Sequence, residues 1–537
     1  MGCVSMCRGK VSEMEKLILE FDLPITFIPL GRKRKYPHRR TTILTGLMPR
    51  GEKDIPIETM DGQYITAGYT TYSASLSNTL EALVLRCFIV NYGDGYSRVI
   101  KPMPGIFNKL NYLMEDLALH LGDRRLISMD ECVEAMPVHR RKCYRLALEN
   151  MYRHFHDDLW ENIKGFTKFQ REQSGVPRMI NPNHEEEIIK QGVYVKSYEE
   201  GGHLSLYRAL DQLWYKHRNV EYPVCSKGLN PFEWGVIVAK KWARFNAGRK
   251  YTSLDCSRFS QHASKDSLEF VAKAIDKVLP GAFEALRPKK RKCVCQVPDE
   301  DGTLHRVVAE VPEMLNDGSP WTACAAHVII NLIMIHELPD IEIEPLDCGD
   351  DFGFISDESI DLVELQATLV KYGFHLKVED SEVTELNKLE FCKSSPICIG
   401  GAYRMIRRPE CLQKDCVMLC GSDQYVDRMF AVGMGGCHIN CGVPVYHNFY
   451  RCLIRLSGLL RFKPKHTAIL YGHNYTYYTV MKQGVDRRNL AAISYTCEDR
   501  LEFYMTTGIE PHMQVIMEEF YDEVEFGDSP TDWNIMW

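Results

Sequence analysis

The chain has 537 residues, 45% hydrophobic and 26% charged, an ordinary globular composition with room for one large multi-part enzyme or several modest domains. Its net charge of −7 excludes a uniformly basic nucleic-acid coat. The imbalance is local: Leu501–Trp537 holds nine Asp or Glu and no Lys or Arg, so the remainder is slightly basic and any nucleic acid would be held by a basic channel.

Twenty cysteines follow no regular framework, and a chain of this length buries a core without disulfides, so they read as free thiols of a reducing compartment. Cys437, His438, Cys441 and His447 have a loose, zinc-like spacing and read as structural. The longest apolar run, Val328–Ile335, is far short of a membrane span, and no secretory signal is visible. The start MGCVSM departs from the myristoylation pattern, because Met6 stands at its Ser/Thr position.

In chain order, residues 1–60 read as an N-terminal extension carrying the basic run Gly31–Arg40. Leu76, Leu80 and Leu83 predict a helix within Ser73–Val90, and a second follows over Ile106–His120. Gly165–Asn183 sets Lys168, Arg171 and Arg178 around a Pro-bounded strand, Val176–Ile180. Cations held on strands can line a rigid channel for a triphosphate. Lys227–Asn230 is a turn carrying a cation.

Tyr251–Ser264 approaches as an apolar strand, ends in Asp255 and continues through Arg258, Ser260, Gln261 and His262 into a helix over Lys265–Val278. One acid at the end of a buried strand suits a metal ligand, or caps the helix that follows. Cys293–Val311 alternates around Asp299–Gly302 as a hairpin, preceded by Lys289–Lys292. Asn316–Ile335 is a bent loop through Gly318 and Pro320, then a helix from Thr322 that is apolar on all sides.

Next comes LDCGDDFGFI, Leu346–Ile355. Two short apolar strands flank Gly349, so Asp350 and Asp351 sit at a tight hairpin turn. Adjacent like charges repel unless a cation joins them, and hard oxygen ligands of this kind suit Mg²⁺. Leu362, Leu365, Leu369 and Tyr372 mark a helix ending at Gly373, with Lys377 and Glu379 on the strand beyond. Leu389–Ile397 reads as a short strand. The remainder is mostly helical and closes in the acidic segment, expected to be mobile or to pack late.

Taken together, the order of Asp255, Gly318 to Thr322 and Gly349-Asp350-Asp351 resembles motifs A, B and C of viral RNA-dependent RNA polymerases, in particular the tombusvirus-like group. LDCSRFSQHAS is similar to that group's motif A, FTKFQRE with VPRMINP to motif F, GFHLKVE to motif D and EFCKSSP to motif E. SLSNTLEALVLR is similar to its pre-finger helix, so the resemblance runs from about residue 70 to about residue 420.

The resemblance implies an α+β right-hand fold of fingers, palm and thumb with an antiparallel palm sheet. In residues: 61–250 mainly fingers, 251–275 and 311–400 palm, 276–310 a fingers hairpin, 401–500 thumb and 501–537 an acidic end. It implies RNA-templated RNA synthesis from NTPs by two-metal nucleotidyl transfer. Asp255 and Asp350 would bridge two Mg²⁺, or Mn²⁺ in their place, with Asp351 close by. Lys168, Arg171 and Arg178 would hold the triphosphate, and Lys377 would act as general acid towards the leaving pyrophosphate. RNA template and product, NTPs and a separate viral membrane-anchoring replication protein are the implied partners, at membrane-associated complexes of the host cytoplasm.

Three positions depart from the group's pattern. Ser260 stands where motif A has a second Asp, Asp317 where motif B has Ser, and Ala326 where it has Asn. In the group these three side chains recognise the ribose 2′-hydroxyl. Gly318 and Thr322 keep the pattern. An exchange of partners, in which Asp317 supplies the carboxylate missing at Ser260, would preserve sugar selection. The alternative is a catalytically weakened, RNA-binding replication subunit.

Overall fold

The computed structural model describes residues 2–33, 41–42, 45–47, 56–59, 64–66, 70–72, 74–93, 95–153, 162–168, 171–172, 176–199, 205–246, 248–299, 301–316, 318–409, 412, 415, 425–461, 463, 465–466 and 490–524. The fold mixes helices with several small sheets, most of them antiparallel. Among the described residues no helix is long and apolar enough to cross a membrane.

One four-stranded antiparallel sheet positions the candidate site. Its central strand, Lys250–Cys256, lies between Asp351–Ser356 and Leu376–Val383, and Glu344–Cys348 pairs on the outside of Asp351–Ser356. Side chains alternate across such a strand. Leu254 and Cys256, with Phe352, Phe354 and Leu376, enter the largest apolar core, under the helices Thr322–Glu337 and Lys265–Asp276. Tyr251 and Ile355 enter a second core, against Trp234, Val238 and Trp242 of the helix Pro231–Arg244. The sheet is covered on both faces, as the near-continuous apolar runs around Asp255 and Gly349 require. Thr322–Glu337 has buried side chains all round, in keeping with its sequence.

Residues 2–33, the described start of the expected extension 1–60, do not stand apart. Helix Gly2–Glu20 buries Met14, Leu17 and Ile18, and strand Ile25–Lys33 pairs with Thr303–Val311. That strand makes a sheet with Arg291–Pro298 and Asn162–Ile163. The spacing of Met14, Leu17 and Ile18 is that of a buried helix face, a signal overshadowed by the basic run that follows. Residues 34–40 of that run lie outside the described residues. The expected hairpin over Cys293–Val311 is present and longer, from Arg291.

Of the two expectations for the acidic end, mobility does not hold for its described residues. Through Val524 it is packed structure: helices Cys497–Thr507 and Pro511–Glu523 bury Phe503, Met517 and Tyr521 against Tyr446–Ser457. Its acids find cations, with Glu518 on Arg500 and Asp522 on Arg451, so composition alone misjudged the segment. Residues 525–537 lie outside the described residues. Phe503→Ala is expected to cost about 3–5 kcal/mol of stability, read as a lower midpoint of urea unfolding; an unchanged midpoint would return the segment to independence.

Two local expectations shift. The strand expected over Leu389–Ile397 starts only at Ser394, because Cys392 and Lys393 take positive φ values of 51° and 58° in a turn. The strand expected over Val176–Ile180 is reduced to Met179–Ile180, paired with Phe166–Thr167.

Candidate active site

The chain distance between Asp255 and the Gly-Asp-Asp turn vanishes in the sheet. Asp255 is directly opposite Asp351 on one side and Lys377 on the other, and Asp351 is opposite Cys348. Residues opposed in an antiparallel ladder share a face. Cys348, Asp351, Asp255 and Lys377 therefore form one row across the end of the sheet. Asp350 sits in the turn itself, and its carbonyl accepts the Cys256 N–H at 3.3 Å. Asp255 and Asp351 are half-buried, while Asp350 and Lys377 are exposed.

The electrostatics agree with a cluster of charge. Burial pushes the Cys256 thiol well up, and the negative charges of Asp255, Asp350 and Asp351 add to that shift. A neighbour that feels three carboxylates at once marks a spot of concentrated negative potential, the condition under which oxygen ligands hold a hard cation.

Gly349 is required by its backbone: its φ of +90° favours glycine, while a Cβ there would meet Ala326 only at an ordinary contact distance of 3.5 Å. Ala326 is thus packed against the turn. Its N–H is tied below: Gly349 N donates to Asp347 Oδ1 at 2.9 Å.

The turn after Asp255 is pinned to the segment 85–92. Arg258 donates to the Leu85 carbonyl at 2.6 Å and Gln261 to that of Ile89 at 3.1 Å. His262 Nδ1 donates to the Arg258 carbonyl at 3.2 Å and Nε2 accepts from the Tyr92 hydroxyl at 2.9 Å. Ser260 is half-buried in this one-turn helix, Phe259–His262. Burial pushes the His262 imidazole down to about 4. The unfolded chain takes up that proton nearer 6.5, so between the two values the unfolded state binds more protons. Stability then falls as the pH drops through this window, by about 3 kcal/mol at most. His262→Gln is expected to flatten the decline of melting temperature between pH 6.5 and 4; an unaltered slope would reject it.

Asp317 lies outside the described residues. The loop around it is well anchored. Thr322 Oγ1 donates to the carbonyls of Asn316 (2.9 Å) and Ser319 (3.0 Å), closing the loop onto the start of its helix. Ser319 Oγ donates to Gln191 Oε1 at 2.9 Å, and Asn183 Nδ2 donates to the same oxygen at 2.8 Å. Gln191 in turn faces Glu187, which holds Arg291 through both carboxylate oxygens. Gly318, at φ +97°, lies against Pro182.

Lys168 N donates to the Arg178 carbonyl at 2.8 Å, which joins those two residues across one ladder. Arg171 pairs by backbone with Thr71. Phe166 and Ile180 of that ladder share a cavity of ≈ 980 Å³ with Gly318 and Pro320. Asp350 and Asp351 line a different cavity, of ≈ 450 Å³, with Trp234, Phe391, Met405 and Tyr450. The structure thus gathers the carboxylates and Lys377 in one place and the Lys168–Arg178 ladder with Gly318 in another.

Beneath the turn lies a polar cluster that single-residue reading of the sequence overlooked. Asp347 Oδ2 accepts from His327 Nδ1 (2.5 Å), Asn331 Nδ2 (2.7 Å) and Cys225 Sγ (3.1 Å). Among the described residues, Cys225, His327 and Asp347 are the one group of three metal-ligand types within 4.8 Å of one another. Their hydrogen bonds account for the contact. The spacing of His327 and Asn331, four apart on an otherwise apolar helix, was the available signal. By contrast, His438 donates to the Met434 carbonyl and His447 to that of Ala491, in line with a structural role.

Comparison with known proteins follows the same lines. A family profile described as viral RNA dependent RNA polymerase matches residues 45–527. The chain is 26% identical over 532 residues to the RNA-directed RNA polymerase of Turnip crinkle virus, covering 94% of this chain and 65% of that one. It is 25% identical over 538 residues to that of Carnation mottle virus, covering 95% and 67%. A Barley yellow dwarf virus (isolate PAV) relative, 26% identical over 471 residues, matches 84% of this chain but 51% of its own length, so the chain spans about half of such relatives. A profile that covers most of the chain, over the segment holding the row of Asp351, Asp255 and Lys377, leads to one statement: the chain belongs to the viral RNA dependent RNA polymerase family.

Proposed function

We propose that this chain copies an RNA template into RNA from NTPs, through a nucleotidyl transfer centred on Asp255, Asp350 and Asp351. The single observation that carries the reading is the register of Asp255 against Asp351, next to the Asp350 turn. The family, and the names of the relatives, support the same reaction class.

Three carboxylates at one sheet end offer oxygen ligands to a pair of divalent cations, although their oxygens do not all lie within 4.8 Å of one another. Asp255, Asp350 and Asp351 would hold Mg²⁺, with Mn²⁺ able to substitute, since all three are oxygen ligands at one place. When bound, the ions would supply Lewis-acid activation of a hydroxyl nucleophile and neutralise charge on the phosphates. Lys377, beside Asp255 and exposed, is the candidate to give a proton to the leaving pyrophosphate. Lys168, Arg171 and Arg178 are the candidates to hold the triphosphate, which requires the substrate to reach from the carboxylate row towards the Gly318 loop.

On this reading the sheet around Asp255 is the palm of a right hand. Residues 251–275 and 311–400 contribute to it, 61–250 and the hairpin within 276–310 form fingers, and 401–500 the thumb. The pairing of Ile25–Lys33 with Thr303–Val311 adds the N-terminal segment to the fingers. The reading extends to a separate viral membrane-anchoring replication protein as a partner, and to membrane-associated complexes of the host cytoplasm; flotation of the chain with membranes in infected cells tests that part. A weakened, RNA-binding subunit is the second reading, favoured by Ser260 and by Ala326, which packs on the turn and offers no amide. Incorporation of labelled NTPs on an RNA template by the purified chain decides between them: template-dependent incorporation supports the enzyme, and RNA binding without it supports the subunit.

A further inference from the structure

We infer that Asp347 and His327 are positioning residues for the metal-binding turn: the Asp347 side chain, hydrogen-bonded to His327, clamps Gly349 and so fixes where Asp350 and Asp351 present their oxygens. The inference rests on the proposed function, because it assigns a role towards the ions held there.

Asp347 is fully buried and its backbone is already committed. Its N–H donates to the Val224 carbonyl at 2.9 Å, and its carbonyl accepts from Ser226 N at 2.9 Å and Ser226 Oγ at 3.0 Å. The side chain therefore cannot drift. Oδ1 takes the Gly349 N–H at 2.9 Å, and Oδ2 takes His327, Asn331 and Cys225. These donors come from three places: the turn, the helix Thr322–Glu337 and the segment Val224–Ser226. Each is itself held. Asn331 Oδ1 accepts from Trp214 Nε1 at 2.6 Å, Asn331 Nδ2 also reaches the His327 carbonyl at 2.7 Å, and the Tyr207 ring meets His327 edge-on at 5.0 Å.

A buried carboxylate without a counter-charge is strongly unfavourable. Burial works against the His327 charge, but the contact with Asp347 outweighs it and raises the imidazole above its ordinary range. A pair of apolar side chains could fill the same volume at no loss of stability. It could not accept the Gly349 N–H. What the pair adds is orientation: Gly349 is held from below by Asp347, and the two carboxylates assigned to the ions follow directly in the chain. Groups that orient metal ligands in this way typically change metal affinity when altered.

The test titrates the purified chain with Mn²⁺, followed by electron paramagnetic resonance, beside melting temperature and affinity for a short RNA duplex. Asp350→Asn is expected to lose most Mn²⁺ binding. His327→Leu is expected to weaken it about 10-fold or more, and to raise the Mg²⁺ needed for half-maximal incorporation in parallel, with RNA affinity unchanged. Should His327→Leu fail to fold, His327→Gln and Asn331→Ala carry the test, since each leaves Asp347 several donors. Wild-type Mn²⁺ affinity in the folded variants, while Asp350→Asn has lost it, overturns the positioning role alone. Unchanged binding in Asp350→Asn overturns the metal site and this inference together. Stoichiometric zinc held by Cys225, His327 and Asp347 in the purified chain would overturn it as well.

Discussion

Asp255→Asn is expected to reduce template-dependent incorporation by at least about 10³-fold, equivalent to about 4 kcal/mol of transition-state stabilisation, while leaving the fold intact or more stable. The expected activity loss follows from the row: Asp255 lies in register between Asp351 and Lys377, opposite both the turn strand and the candidate acid. On the proposed function, removing its charge would leave Asp350 and Asp351 to hold the ions without a third oxygen donor of full charge. The stability effect has the opposite sign. Three carboxylates at one sheet end repel one another in the metal-free chain, and an amide of the same shape relieves part of that repulsion. Sites that hold such charge for chemistry are paid for in stability. Melting temperature without metal should therefore rise or stay level in Asp255→Asn, and added Mg²⁺ should stabilise the wild type but not the variant. A variant that loses activity together with its melting temperature would make Asp255 a structural residue. A variant that keeps activity would remove it from the site.

What the sequence disclosed and what it withheld follow from the range of the interactions involved. The Gly349 turn, the helix from Thr322 and the hairpin before Val311 were legible because each is set by local pattern: glycine between apolar runs, an unbroken apolar stretch, alternation around a turn. Asp255 was legible as a ligand type, yet its position opposite Asp351 was a matter of long-range pairing, carried by the resemblance and not by spacing. The Asp347 cluster was missed for a related reason. Cys225, His327 and Asp347 are individually unremarkable, and only the fold brings them to one oxygen atom. Gln191, which accepts from both Ser319 and Asn183, is hidden in the same way inside an ordinary helix, Glu185–Glu199. The two misjudged ends show the converse error. Charge runs near Arg34 and Glu518 dominated the composition, while the buried stripes of Met14, Leu17 and Ile18 and of Phe503, Met517 and Tyr521 decided the structure.

Sugar choice gives the other large expected effect. Asp317→Ala is expected to raise the use of dNTP relative to NTP by about 10- to 100-fold, chiefly by slowing NTP incorporation. A site that pairs a hydroxyl discriminates against a substrate without one because its own polar group is left unpaired. In this chain the side chains available for that pairing have changed: Ser260 is a short hydroxyl in the helix after Asp255, and Ala326 has no polar atom and packs on Gly349. A carboxylate at 317 would restore an acceptor, and the described residues on either side of it are held. Asn316 and Ser319 are bound by the Thr322 hydroxyl, Ser319 by Gln191, and Gly318 rests on Pro182. On the exchange reading, Ser260→Asp combined with Asp317→Ser should recover NTP preference. An Asp317→Ala chain with an unaltered NTP-to-dNTP ratio would rule out the exchange and leave sugar selection to groups other than these three.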